Sequence, residues 1–168
     1  MSHEIRTPLN AILGMTQLAL KDDLPAHQRE RVEKTLRASQ HLLGIVNDVL
    51  DFSKIEAGQM ELEATDFDLT QLLADVCELY GRSTSDKGLQ LNLVVAPGVP
   101  QHLRGDPHRI GQVLINYVNN AIKFTQEGAI TIQVQVAHED ASSLLLHCAV
   151  LDTGMGMTPA QRADLFQA

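Results

Sequence analysis

Apolar residues recur at two different spacings in this chain, and the change between them divides it in half. Ile5, Leu9, Ile12 and Ala19 lie three to four apart or in multiples of that step, with Thr16 filling the seam, which predicts an amphipathic helix. "DDLPAHQ" interrupts it with proline and charge, as a connection between helices does. A second helix sets Val32, Leu36, Ser39, Leu43, Val46, Leu50 and Ser53 in heptad register, and Leu42, Ile45, Val49 and Phe52 form a stripe beside it. Two adjoining stripes make an apolar face wider than one partner helix covers. A lone helical hairpin leaves part of that face bare, whereas two hairpins packed as a four-helix bundle bury it. The expectation is a symmetric homodimer through residues 1–58, with Gly58 as the stop.

The second half changes period. "DLTQLLADVCELYGRS" reads as an amphipathic helix and "LQLNLVV" alternates as a strand. "DPHRIGQVLINYVNNAIKF" returns to helical spacing, with Ile110, Val113, Leu114, Tyr117, Val118 and Ala121 predicted on one buried side. "AITIQVQVA" alternates, placing Ile130, Ile132, Val134 and Val136 inward, and the nearly continuous apolar run "SSLLLHCAVLD" predicts a central strand. Such a mixture predicts an α+β sandwich with helices on one face of a sheet. "KIEAGQMELEATDFD" is the junction, which gives a helical hairpin over 1–58, a linker over 59–68 and an α+β domain over 69–168.

Composition narrows the partners. Thirteen basic residues against 21 acidic ones give a net charge of -8, which argues against nucleic acid, whose phosphate backbone calls for a basic face. A single nucleotide is not excluded, because it needs only local donors and a metal. Cys77 and Cys148 are far apart in apolar surroundings and read as free thiols, which fits a cytoplasmic setting. No apolar run is long enough to cross a membrane, so any membrane link is expected to come from segments outside this sequence. The seven histidines show no metal-ligand spacing.

Three short motifs carry candidate chemistry. In "MSHEIRTPLN", His3 falls roughly 150 degrees from the Ile5–Leu9–Ile12 stripe on a helical wheel, pointing away from the bundle core. Glu4 stands next to it, able to hold one ring nitrogen and favour a basic tautomer at the other. Pro8 removes a backbone donor within a turn or so. A solvated surface histidine beside a helix-entry proline fits that box as well, and the missing second histidine rules out the H-E-x-x-H zinc motif. In "QVLINYVNNAIKFT", Asn116 and Asn120 sit four apart beside Lys123, and amides on an apolar helix side need partners. A hydrated magnesium ion and nucleotide phosphates supply such partners, and so does an amide network or an exposed face. In "VLDTGMGMT", Asp152 at a strand end precedes Gly154 and Gly156, so backbone can approach a flat ligand while the carboxylate accepts from an exocyclic amine. "DTG" also occurs in aspartic proteases, which need a second copy or an all-β dimeric lobe, and the helical first half supplies neither.

Together, "SHEIRTPLN", "FSKIEAG", "GDPHRIGQVLINYVNNAIKFT" and "LDTGMGM" resemble, in order and separation, the phosphoacceptor, N and first glycine boxes of sensor histidine kinases of the hybrid group. The resemblance covers nearly the whole chain. It implies a dimeric histidine-phosphotransfer bundle followed by an ATP-binding domain of the Bergerat type, shared with DNA gyrase. It further implies that His3 is the phosphoacceptor, Glu4 its activating partner, and Thr7 the residue that orients water in dephosphorylation. Asn120 is then the Mg2+ ligand supported by Asn116, Lys123 the phosphate contact, Phe124 part of the pocket wall, Asp152 the adenine reader, and Gly154 and Gly156 the loop around it. ATP and Mg2+ are the implied cofactors, and a response-regulator receiver domain is the implied acceptor of the phosphoryl group. In such kinases the pattern continues past "ADLFQ" with a lid and a second glycine box. The chain therefore reads as a piece of a larger kinase with an incomplete ATP-binding domain and impaired turnover. The alternative is a non-catalytic phosphorelay or dimerisation module with a vestigial nucleotide domain.

Overall fold

The structure is a computed structural model that describes residues 2–165, without the side chains of Ser2, His3, Glu4 and Asp48. The elements run α1 (Ser2–Ala19), α2 (Ala26–Glu56), β1 (Thr65–Asp68), α3 (Leu69–Asp86), β2 (Gln90–Val95), β3 (His102–Gly105), α4 (Pro107–Phe124), β4 (Ala129–Glu139), β5 (Leu144–Asp152) and α5 (Pro159–Asp164). They form two compact units, Met1–Glu61 and Leu62–Ala168.

The first unit is a helical hairpin. Its turn is closed by Arg29, whose guanidinium donates to the carbonyls of Leu20 at 3.2 Å and Asp22 at 3.1 Å, just past the end of α1. Leu9, Thr16 and Ser39 are buried in the seam, and Leu36, Leu43, Val46 and Leu50 are partly buried. Thr16 satisfies its hydroxyl on the Ile12 carbonyl, 2.6 Å away. Toward the other end, Arg6 Nη2 donates to Asn47 Oδ1 at 3.1 Å and ties the two helices together. Ile5 and Ile12, expected in the seam, are instead about half exposed, because the inward arc of α1 centres on Leu9 and Thr16. On α2 the heptad positions from Val32 to Leu50 face the hairpin, Ser53 is exposed instead, and Leu42, Ile45, Val49 and Phe52 stay exposed as a second apolar stripe.

In the second unit β2 pairs parallel with β4, and β5 pairs antiparallel with β4. β4 therefore lies at the centre of the three strands, and β5, expected to be central from its apolar run, borders it. The alternation of β4 sends Ile130, Ile132 and Val134 into the core at 0% exposure, where they meet Leu69, Leu73 and Val76 of α3 and Leu114, Val118 and Ala121 of α4. Within the stretch read as a junction, Thr65–Asp68 forms β1, which pairs antiparallel with β3 and sets Phe67 opposite Leu103. Four residues are too few to display an alternation, so neither strand announces itself in the sequence.

Each strand of that ribbon hands the chain to a helix through an aspartate. Asp68 caps α3 by accepting from the Gln71 N–H at 3.0 Å, and its second oxygen accepts from Gln101 Nε2 at 2.8 Å. Asp106 caps α4 by accepting from the Arg109 N–H at 3.0 Å, and its second oxygen accepts from the Glu63 N–H at 3.2 Å. Donation from the Arg109 N–H, then from the Glu63 N–H, holds the Asp106 carboxyl below its ordinary value. The folded state thus binds fewer protons. This contribution to stability is complete above the ordinary carboxylate range and is lost as pH falls through that range toward the lower folded value. Asp106→Asn should accordingly flatten the fall in stability between neutral and acidic pH, read as urea midpoints across a pH series. An unchanged slope would show that the cap carries no proton linkage.

Candidate functional site

α4 has two dissimilar sides. Gly111, Leu114, Val118, Ala121 and Ile122 are buried, whereas Val113, Asn116, Tyr117, Asn120, Lys123 and Phe124 are exposed. Val113 and Tyr117, predicted inward, are each 53% exposed. The buried arc is narrower than the apolar arc, because α4 packs through small or branched residues close to its axis. Asn116 and Asn120 are therefore not buried amides seeking partners. They stand exposed on an open face between apolar neighbours. Near the end of that face Lys123 Nζ lies 5.1 Å from the centre of the Phe124 ring, close enough for a cation–π contact.

Three of the last carbonyls of α4 are taken up in different ways. The Thr125 N–H donates to Ala121 O at 3.0 Å, Lys87 Nζ donates to Ile122 O at 2.9 Å, and the Met155 N–H donates to Phe124 O at 3.4 Å. The lysine places a cation where the helix dipole is negative. The third bond joins the helix to the loop after β5, and the approach is tight. A Cβ on Gly154 would lie 2.5 Å from the Phe124 carbonyl oxygen and 2.8 Å from Asp152 Oδ1. Gly154 is there because nothing larger fits. Its own N–H donates to Asp152 Oδ1 at 2.9 Å, and Gly156 sits at a φ of +65°, the left-handed region. Gly128, at a φ of +111°, would likewise clash through any Cβ with the Thr153 hydroxyl. That hydroxyl donates to Glu127 O at 3.2 Å and accepts from the Ala129 N–H at 3.1 Å, fixing the root of the loop.

Of the residues singled out from sequence, Asn116, Asn120, Lys123, Phe124, Asp152, Gly154 and Gly156 thus fall on two segments joined at the Phe124 carbonyl. Thr7 is exposed on α1 in the other unit, while the side chains of His3 and Glu4 lie outside the described residues. Lys87 and Thr125 escaped the sequence reading. Lys87 follows a helix in a polar run, and nothing in "SDKGLQ" shows that its side chain reaches across to Ile122. α5 also escaped it, although Thr158 and Gln161 spell a capping box that the structure completes. Among the described residues no group of three histidine, cysteine, aspartate or glutamate side chains could hold a metal. A cation at this face would rest on amide oxygens, ligand oxygens and water, a set that suits magnesium.

Two protein-family models match the chain. One, described as His Kinase A (phospho-acceptor) domain, matches residues 1–58. The other, described as Histidine kinase-, DNA gyrase B-, and HSP90-like ATPase, matches residues 105–168. Over all 168 residues the chain is 44% identical to the signal transduction histidine-protein kinase BarA of Escherichia coli (strain K12). It is 43% identical over the same length to the sensor histidine kinase GacS of Pseudomonas protegens. It spans 18% of the length of each of these relatives. The crystal structure of full-length ShkA in complex with AMPPNP superposes with a TM-score of 0.75 at 36% identity, over 99% of this chain and 35% of that one.

The tight loop yields a test. Gly154→Ala should force the loop away from α4, shifting the amide resonances of Thr125 and Met155 and lowering stability by about 1–3 kcal/mol, as overpacking does. Gly81→Ala, in a helix interior with nothing within 4 Å of the new carbon, should be neutral or stabilising by up to about 1 kcal/mol. Equal effects from the two changes would contradict the close approach.

Proposed function

The chain belongs to the histidine kinases, and from there we propose that it acts as a kinase core that phosphorylates His3 from ATP and passes the phosphoryl group to an aspartate of a receiver domain. The observation that carries this reading is the junction at Phe124. It puts one exposed acidic acceptor, a loop with no room for a side chain, and a face bearing two amides and a lysine at the same end of the α+β unit. The similar protein ShkA was solved with an adenine nucleotide analogue, which supports an adenine nucleotide as the ligand here.

In this reading Asp152 accepts from the adenine amine, Gly154 and Gly156 let the backbone lie against the base, and Phe124 lines the pocket. Asn120, supported by Asn116, holds Mg2+, which when bound offsets charge on the phosphates. Lys123 places its ammonium against the transferred group. The neutral His3 imidazole supplies an electron pair to the γ-phosphorus, a P–N bond forms, the bond to the bridging oxygen breaks and ADP leaves. Glu4 accepts from the N–H of the other ring nitrogen, and its negative charge offsets the positive charge that develops on the ring as the P–N bond forms. Thr7 orients water when the phosphoryl group is removed by hydrolysis. No described helix is long and apolar enough to cross a membrane; the likeness to histidine kinases is what supports a cytoplasmic placement.

We assign the exposed stripe Leu42, Ile45, Val49 and Phe52 to a homodimer through residues 1–58, because a second hairpin covers an apolar face of that width. Since Leu43 and Leu50 already pack within the hairpin, Val49→Asp is the selective probe. It should convert the chain from dimer to monomer in light scattering while leaving helical content intact.

Incubation with γ-labelled ATP and Mg2+ should give an acid-labile, base-stable phosphate that is absent in His3→Gln. Lys123→Ala should slow its appearance by about 10²–10³-fold. Label that persists in His3→Gln would refute the assignment. Label on His3 only after an intact kinase or a phosphorylated receiver is added would identify a relay module instead.

A further inference from the structure

Thr125 is a polar residue at 1% exposure, sealed where α4 ends and β5 arrives. Its N–H closes the helix on Ala121 O at 3.0 Å, and its backbone is extended, with φ at -103° and ψ at 124°. The place of its side chain is therefore set by the helix terminus rather than by a mobile loop. A hydroxyl so deeply buried requires a partner, and Thr125 Oγ1 lies 3.5 Å from Asp152 Oδ1. That is long for an O–H···O bond, and such bonds in ligand-free sites commonly shorten when the site is loaded. The Gly154 N–H reaches the same oxygen at 2.9 Å. Both donors converge on Oδ1, which fixes the rotation of the carboxylate and leaves Oδ2 to accept from a ligand.

The geometry points to Thr125 as a positioning residue that sets base specificity by locking the Asp152 carboxylate. This rests on the reading of Asp152 as the acceptor of the adenine amine. Adenine offers an N–H donor at the six-position of its ring, whereas guanine presents a carbonyl acceptor there. A locked carboxylate oxygen accepts from the first and repels the second. A carboxylate free to rotate turns its charge aside and discriminates less. Thr125 thus affects the choice between bases and not only the strength of binding.

Thr125→Val keeps the branched shape and removes the donor, Thr125→Ala removes the donor with less bulk, and Thr125→Ser keeps the donor. Binding of ATP and GTP to the whole chain with Mg2+ is measured by calorimetry, with thermal midpoints recorded to confirm folding. Thr125→Val should weaken ATP by about 5–10-fold, the equivalent of one hydrogen bond, and leave GTP unchanged or slightly tighter. Thr125→Ala should narrow the ATP-to-GTP preference in the same direction, and Thr125→Ser should restore it to within about 2-fold of wild type. The inference is overturned if the folded donor-free variants lose ATP and GTP equally, or keep the wild-type preference while Asp152→Asn abolishes it. If Asp152→Asn itself leaves the preference intact, or the wild-type chain binds no ATP, the underlying reading of Asp152 falls and takes the inference with it.

Discussion

The arrangement of the second unit turns on a contact with no spare room, between the carbonyl at the end of α4 and the glycine loop that follows β5. Gly154 meets Phe124 at a distance that excludes even a methyl group, and the Met155 N–H closes the contact at 3.4 Å. Everything offered to a ligand hangs from one side or the other of that joint. Asn116, Asn120, Lys123 and Phe124 ride on the helix, and Asp152 rides on the loop. A second close approach, Gly128 against Thr153, holds the same loop at its root, so its path is restricted on both sides. Lys87 steadies the helix end from a third direction, through Ile122 O. The proposed site is thus a joint between two rigid elements, which is what a ligand with a flat base and a charged tail requires.

The rest of the unit delivers α4 to that joint. The ribbon of β1 and β3 releases both helices through aspartate caps, and each cap spends its second oxygen on a donor from the residues that lead into the opposite strand, Gln101 before β3 and Glu63 before β1. The two helices therefore start from a shared anchor before packing on β4. In the first unit the division of labour is simpler. One stripe of α2 binds α1, and the neighbouring stripe remains available for the second hairpin of the proposed dimer.

Much of this was readable from the chain, for identifiable reasons. β4 displayed its role because strict alternation over Ile130, Ile132 and Val134 has one structural meaning when one face is buried. The position of β5 was not readable. An apolar run marks a strand that has been desolvated, but it does not tell which neighbours it pairs with. α4 was legible as a helix and misjudged in its orientation, since Val113 and Tyr117 look like core residues and only the packing of Leu114, Val118 and Ala121 reveals the true inward arc. The residues of the proposed site stand out through motif order. Thr125 and Lys87 do not, because their partners, Asp152 and Ile122, are 27 and 35 positions away and no local pattern encodes such a contact.

Adenine-nucleotide recognition at the joint is the central claim, and heteronuclear NMR titration of the chain with ATP and Mg2+ tests it most directly. The account predicts that the largest amide shifts fall on Asp152–Gly156, on Thr125 and on the Asn116–Phe124 stretch of α4, and that β1 and β3 at the other end of that helix stay still. Shifts confined to β1 and β3, or saturation of the titration with no change at Gly154, would contradict it.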